Sequence, residues 1–262
     1  MLDCNGHVVD GIENKNSYLG TYGIFNERYD NITVKNCMVK DFERGIYFYD
    51  HANNGNVINN TLNNNTLGIT VSFRSNYTNI INNTANNNGA GIYVSNSHTL
   101  IISFNTLDNN GDGIYSSFTL NSIIVNNTAS FNSDSGYHLQ EINANNLLIN
   151  NTASFNSYGF LIMANSNNNT LEKNIIMKNS FGIYIDDFSY SNIVKGNLIQ
   201  DNFIGSNIVS NSNDNIFFDN YFANPQNVYD KNNVNAWNTT KQVRTNILGG
   251  SFLAGNFWDD YN

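Results

Sequence analysis

Gly91-Ile92-Tyr93-Val94 and, 22 residues later, Gly113-Ile114-Tyr115-Ser116 open two successive segments of one design. From Gly91 the chain passes through Leu100-Ile101-Ile102 to Asn105-Thr106-Leu107 and Asn110, and from Gly113 through Ser122-Ile123-Ile124 to Asn127-Thr128-Ala129 and Asn132. Outward from these two, glycine leads the same pattern at Gly68, Gly45 and Gly23 on one side and at Gly136, Gly159, Gly182 and Gly205 on the other, at steps of 22 or 23 residues. Self-similarity at a fixed period of this size marks a repeat architecture. One asparagine column runs through Asn60, Asn83, Asn105, Asn127, Asn151, Asn174, Asn197 and Asn220. A second follows five residues after each of the first seven, from Asn65 to Asn202.

Apolar residues keep the same phase. Val57, Ile80, Ile102 and Ile124 lie three before the first asparagine column, and Leu62, Ala85, Leu107 and Ala129 lie two after it. In the glycine-led segment, Gly+1 and Gly+3 are apolar (Ile92 and Val94, for example), an alternation of period two that reads as β-strand. No 3.6-residue period survives beyond one turn, which excludes helical repeats. Three short strands separated by Asn and Gly corners make one coil of a three-sided solenoid. The expected fold is therefore all-β, a right-handed parallel β-helix of about ten coils stacked roughly 4.8 Å apart, with amides laddered along the corners. Residues 1–225 are expected to form the coils. From about Ala223 the phase dissolves, and 226–262 are expected to be a C-terminal capping segment of the same domain, with Trp237 and Trp258 over the last coil's apolar end.

The 262-residue composition agrees. Asparagine supplies 58 residues, charged residues only 13%, and proline occurs once, so the surface is polar through amides rather than ions. Hydrophobic residues at 40%, with 17 Phe and 15 Tyr, provide the apolar area that a disordered Asn-rich tract lacks. A net charge of -9 without any Lys/Arg run argues against nucleic acid or anionic lipid as partner. No segment has the apolar length to span a membrane as a helix. The opening residues lack the basic, apolar and small-residue series of a secretory signal, and the chain starts directly in patterned sequence, as a mature domain or part of a longer parent chain would. Two cysteines, Cys4 and Cys37, are too few for a disulfide scaffold and lack metal-ligand spacing, so both are expected to be small buried residues.

The two ends carry a resemblance. Leu2-Asp3-Cys4-Asn5-Gly6-His7 resembles the Leu-Asp-Gly-Asn-Gly-His start of NosD-type parallel β-helix proteins, with Cys4 in place of a glycine. Ile247-Leu248-Gly249-Gly250 and Gly255-Asn256-Phe257-Trp258-Asp259-Asp260-Tyr261 resemble that family's close. The resemblance covers essentially the whole chain. It implies a periplasmic, extracellular or cell-surface location and raises copper processing as an alternative role. Soft Cu(I) needs convergent Cys and Met, and Cu(II) needs several His. His7, His51, His98 and His138 fall in different coils and columns, so no metal site is expected from the sequence.

Candidate chemistry lies on the glycine-led strand. If Gly+1 and Gly+3 point inward, the Gly+2 column points out and carries Tyr47, Tyr93, Tyr115, His138 and Tyr184, a strip suited to sugar rings. The expected role is non-catalytic binding of polysaccharide, a cell-envelope glycan or a surface partner. The enzymic alternative is a secreted polysaccharide lyase or glycoside hydrolase using Glu141, Asp187 and His138. Glu141 and Asp187 stand two coils apart, roughly 10 Å, near the wide end of the inverting-glycosidase range. A lyase of this fold would call for Ca²⁺, but the Asp186-Asp187 pair has no neighbouring cation, and no cofactor is expected. Asp50 and Arg74, one coil apart, are expected to pair. Constant steps of 22 or 23 leave no long loops to wall a catalytic groove, which favours binding or scaffolding.

Overall fold

The computed structural model describes residues 1–11, 20–231 and 234–260; Tyr261 of the closing motif lies outside them. Among these residues every named element is a strand. One coil contains Asn79–Ile81 in sheet A, Thr84–Asn86 in sheet B and Ala90–Ser95 in sheet C. Each pairs in parallel with its counterparts one coil before and after, so Ile80 lies between Val57 and Ile102, and Ile92 between Ile69 and Ile114. Sheets A and C have ten strands each. Sheet B has runs of four and six, joined through single-residue bridges at Thr106. The fold is the expected parallel solenoid, and the ten strands of sheet C bound nine full turns.

The apolar columns fill the interior: Leu62, Ile80, Ile92 and Val94 are wholly buried. Between the sheets the amides stack as expected. Buried Asn127 donates from Nδ2 to Ile102 O (2.9 Å) and to Asn151 Oδ1 (3.1 Å), while its own Oδ1 accepts from the backbone N–H and Nδ2 of Asn105, both at 2.9 Å. Each ladder asparagine thus satisfies backbone groups that a chain turning inside the core would otherwise leave unpaired. The left-handed residue at these corners is not the ladder asparagine but the one before it: Asn82 (φ 55°), Asn126 (57°), Phe131 (58°) and Phe155 (59°). A third ladder, between sheets C and A, runs Ser122, Asn146, Asn169, Asn192, Asn215 and Asn235. Its change from serine to asparagine hides it from a search for identical residues.

The glycine column has a steric cause. A Cβ on Gly68 would stand 2.5 Å from Gly91 O and 3.2 Å from Asn88 Nδ2. The chain here passes against the next coil and the second asparagine ladder, with no space for a side chain.

Residues 226 onward form no distinct cap. Gln226–Asp230 joins sheet C, Ala236 bridges Ile216 beside sheet A, and Phe257–Trp258 joins sheet B, so the segment is another coil carrying a hairpin of Asn238–Val243 with Phe252–Gly255. Asn227, Asn235 and Asn256 end the three ladders. The repeat step holds through Gln226–Asp230, where Val228 pairs with Ser206 and Asn227 takes the glycine's place, and is lost beyond it because the inserted hairpin lengthens the coil. Trp237 stacks on Phe217 (4.4 Å) and Trp258 on Phe222 (4.7 Å), which gives the tryptophans the expected place over the last apolar layer.

The cysteines depart from expectation, for Cys4 and Cys37 form a disulfide. Leu2 and Asp3 pair with Val34 and Lys35, which carries Cys4 to the corner beside Cys37, with the Cα atoms 4.8 Å apart. The separation of 33 residues exceeds the repeat step, so the cysteines share no column in the sequence although they meet in space.

Two tests follow from this architecture. Asn127→Ala leaves the buried Asn105 backbone N–H without its acceptor and is expected to cost about 1–3 kcal/mol in urea unfolding; a cost below about 0.5 kcal/mol would contradict the ladder's role. Asp3 accepts from Asn36 Nδ2 and the Asn5 N–H and pairs with Lys35, which holds its pKa at about 2. A depressed carboxyl stabilises the fold above its unfolded value and loses that contribution as pH falls through the folded one. Amide exchange across Leu2–Asp10 should therefore be slower in the native chain than in Asp3→Asn at neutral pH, with the difference vanishing between about pH 4 and pH 2. A difference that persists at the lowest pH would refute the assignment.

Candidate functional site

The outward column of sheet C is only partly open. Tyr93 and Tyr115 are half-buried and stack on each other, with centroids 5.2 Å apart and planes within 6°. Tyr184 is half-buried, edge-on to the stacked rings of Tyr158 and Phe181. Tyr47, in contrast, is 3% exposed, boxed in by Tyr22, Phe25 and Tyr49 with the Arg44 guanidinium 4.3 Å over its ring. His138 is also buried, edge-on to Tyr115 at 4.8 Å. The covering has one cause: residues at Gly-1 and Gly+4 face the same way and fold over Gly+2. Where tyrosines stack along the axis their faces are taken by each other, which leaves ring edges and hydroxyls to solvent. The Tyr115 hydroxyl donates to Gln140 Oε1 (2.8 Å), and its pKa is pushed up to about 12, by burial first and then by Tyr93, Glu141 and Asp112.

A groove runs along the corner between sheets B and C, beside the second asparagine ladder. Its first part, about 700 Å³, is lined by the exposed amides of Asn64, Asn87 and Asn109, with Thr66, Phe131 and Ser133. Its continuation, about 630 Å³, is lined by Phe155, Lys178, Ser180, Asp201, Phe203 and Pro225. Gly89 and Gly111 in the floor answer to backbone sterics, since a Cβ on either would stand within 2.6 Å of the preceding coil's carbonyl oxygen. Phe131 (56% exposed) and Phe155 (46%) stack between the two parts at 4.7 Å and 6°. Both have left-handed backbones. Phe73, Phe104, Phe118 and Phe188 are likewise exposed at left-handed positions, but Phe131 and Phe155 stand where the groove's other corners carry Asn64, Asn87 and Asn109.

At the rim of this groove Asp112 follows Gly111 and Asp134 follows Ser133, and both carboxylates converge on His138. One donor atom from each of the three residues lies within 4.8 Å of the other two. Asp112 Oδ1 stands 3.5 Å from His138 Nδ1, in an orientation that makes no hydrogen bond. Burial raises the pKa of Asp134, the Asp112 carboxylate adds to the rise, and His138 opposes it. Glu141 and Asp187 lie elsewhere, both exposed at left-handed corners. Glu141 accepts from Ser117 Oγ (2.8 Å), and the Asp187 N–H donates to Asp186 Oδ1 (2.7 Å). Among the described residues no hydrogen bond or ion pair links Glu141, Asp187 and His138. Asp50 pairs with Arg28 and with His51 Nδ1 (2.7 Å), not with Arg74: its carboxylate turns toward the preceding coil. Sequence reasoning missed Asp112, Asp134, Phe131 and Phe155. They occupy Gly-1, Gly-2 and the position before the second ladder, and a search of the Gly+2 to Gly+6 columns passes over all of these.

The family described as "Periplasmic copper-binding protein (NosD)" matches residues 2–128 and 105–262. No curated protein matches the chain. Among solved structures, DFA-IIIase from Arthrobacter chlorophenolicus A6 without its lid superposes with a TM-score of 0.59 at 16% identity, over 79% of this chain and 59% of that one. The Agl-KA catalytic domain gives 0.58 at 17%, over 82% and 47%. The A-module of a mannuronan C-5 epimerase from Azotobacter vinelandii gives 0.51 at 13%, over 79% and 83%. This chain therefore spans less than two thirds of the first two. At such identities the likeness is one of fold, whereas the family match extends over both ends and every coil between them: the chain belongs to the NosD family.

Proposed function

We propose that this chain is an exported, non-catalytic solenoid that binds an extended polysaccharide along the corner between sheets B and C. The observation that carries the reading is the pair of grooves joined at the exposed Phe131–Phe155 stack, flanked by amides and hydroxyls. The outer face that the stack leaves on Phe131 takes the apolar side of a pyranose, and amides take its hydroxyls. A chain of net charge -9 favours a neutral glycan over a polyuronate. The half-open Tyr93, Tyr115 and Tyr184 offer a second set of hydroxyls on the adjoining face. The disulfide supports export, since such bonds persist in oxidising compartments; among the described residues no helix is long and apolar enough to cross a membrane. The mannuronan epimerase, by its name, sets the precedent of a polysaccharide on this fold.

Purified protein incubated with neutral and uronic-acid polysaccharides, with and without Ca²⁺, should retain a neutral polymer and release no new reducing ends or unsaturated products. Phe131→Ala with Phe155→Ala should weaken retention about tenfold, the loss of roughly 1.4 kcal/mol of stacking. Tyr93→Ala with Tyr115→Ala should weaken it less. Equal retention by both double variants would end the glycan reading. Product release would instead favour the lyase or hydrolase reading of Glu141, Asp187 and His138.

A further inference from the structure

We propose that Asp112, Asp134 and His138 form a binding site for a divalent metal ion, Zn²⁺ or Mn²⁺, that clamps two adjacent coils together. The proposal is independent of the glycan reading. Asp112 belongs to one coil, and Asp134 and His138 to the next. In these columns the other coils carry neutral residues, apart from Glu43 and Arg44, which lie next to each other. Two carboxylates and an imidazole meet only at this junction among the described residues.

The second observation is what burial leaves unpaired. The His138 side chain is 9% exposed, and both of its ring nitrogens are buried without a hydrogen-bond partner. Asp112 Oδ1 is buried and makes no hydrogen bond, facing His138 Nδ1 at 3.5 Å, and the hydroxyl of Ser135, which takes Asp112's place in the column one coil on, is buried without one as well. Buried polar groups are almost always satisfied, so a carboxylate oxygen and an imidazole that face each other without a hydrogen bond call for a further partner. A cation fits the two carboxylates and one imidazole nitrogen, which are its ordinary donors, while the other ring nitrogen carries the proton. Donors that share an ion at about 2.0–2.2 Å lie at most roughly 4.4 Å apart, so a small side-chain rotation closes the observed spacing. The set lacks thiolate and thioether, which excludes preference for Cu⁺. Tyr115 lies edge-on against the ring and limits its motion.

The test uses untagged full-length protein treated with EDTA and dialysed, then titrated calorimetrically with Zn²⁺, Mn²⁺, Ca²⁺ and Cu⁺, alongside thermal unfolding. One equivalent of Zn²⁺ or Mn²⁺ should bind and raise the melting temperature. His138→Gln and Asp112→Asn should each weaken that binding by more than about tenfold, the lower bound for loss of a ligand. The far-ultraviolet spectrum of the metal-free variants should match that of the native chain, and two variants on different coils guard against a folding defect in either. Absence of Zn²⁺ and Mn²⁺ binding overturns the proposal. Binding of any of the four ions that survives His138→Gln unchanged places the ion elsewhere and overturns it equally.

Discussion

Each buried ladder asparagine holds two coils at once. Its carbonyl oxygen takes the backbone and side-chain N–H of the asparagine before it, and its own amide reaches a core-facing carbonyl and the asparagine after it. Two such ladders run from the early coils to the last, and a third joins them at the remaining corner from Ser122 to Asn235; together they hold like residue above like residue. The columns of Ile, Val and Leu follow, because any residue laid into the interior lies between two copies of its own position. The glycines follow too: where a corner brings the chain against the next coil, the ladder geometry leaves no space for a Cβ. Nearly constant steps follow from that pairing, 22 to 24 residues along the first ladder from Asn60 to Asn220, and the longer last coil keeps it by placing its extra residues in a hairpin outside the stack.

Such a constraint has consequences for function. A ladder protein presents uniform faces, so chemistry has to be written as departures from a column's ordinary residue. Phenylalanine where the corner favours asparagine, at residues 131 and 155, is one departure, and it stands where the groove continues from one half to the other. Carboxylates at 112 and 134 beside the buried imidazole of His138 are another. Both lie near the middle of the solenoid, along the same corner, where coil-to-coil geometry is held from both sides and side chains are positioned with little freedom.

Most of the fold was legible because its determinants are local and repeated. The period of Gly91 and Gly113, the phase of Asn105 and Asn127 and the alternation of Ile92 and Val94 suffice for the strands, their inward faces and their parallel stacking. The tryptophans at 237 and 258 were also readable, as large rings beyond the last apolar layer. The third ladder was not, because serine and asparagine do the same work at that corner and share no letter.

What the sequence by itself determined is therefore the coil: its length, its corners, its core and the family whose ends it shares. What only the tertiary structure decided is which side chains meet across coils. Cys4 finds Cys37 through an irregular first turn, Asp50 turns to Arg28, and Tyr47 disappears beneath Arg44 and its neighbouring rings while Tyr93 stays half open. Asp112, Asp134 and His138 converge although they belong to different coils and columns. A column records what each position faces, inward or outward, and that depends on backbone alternation alone. Contact between side chains in different columns depends on rotamers, on the size of neighbours and on small irregularities of the turns, and none of these is periodic.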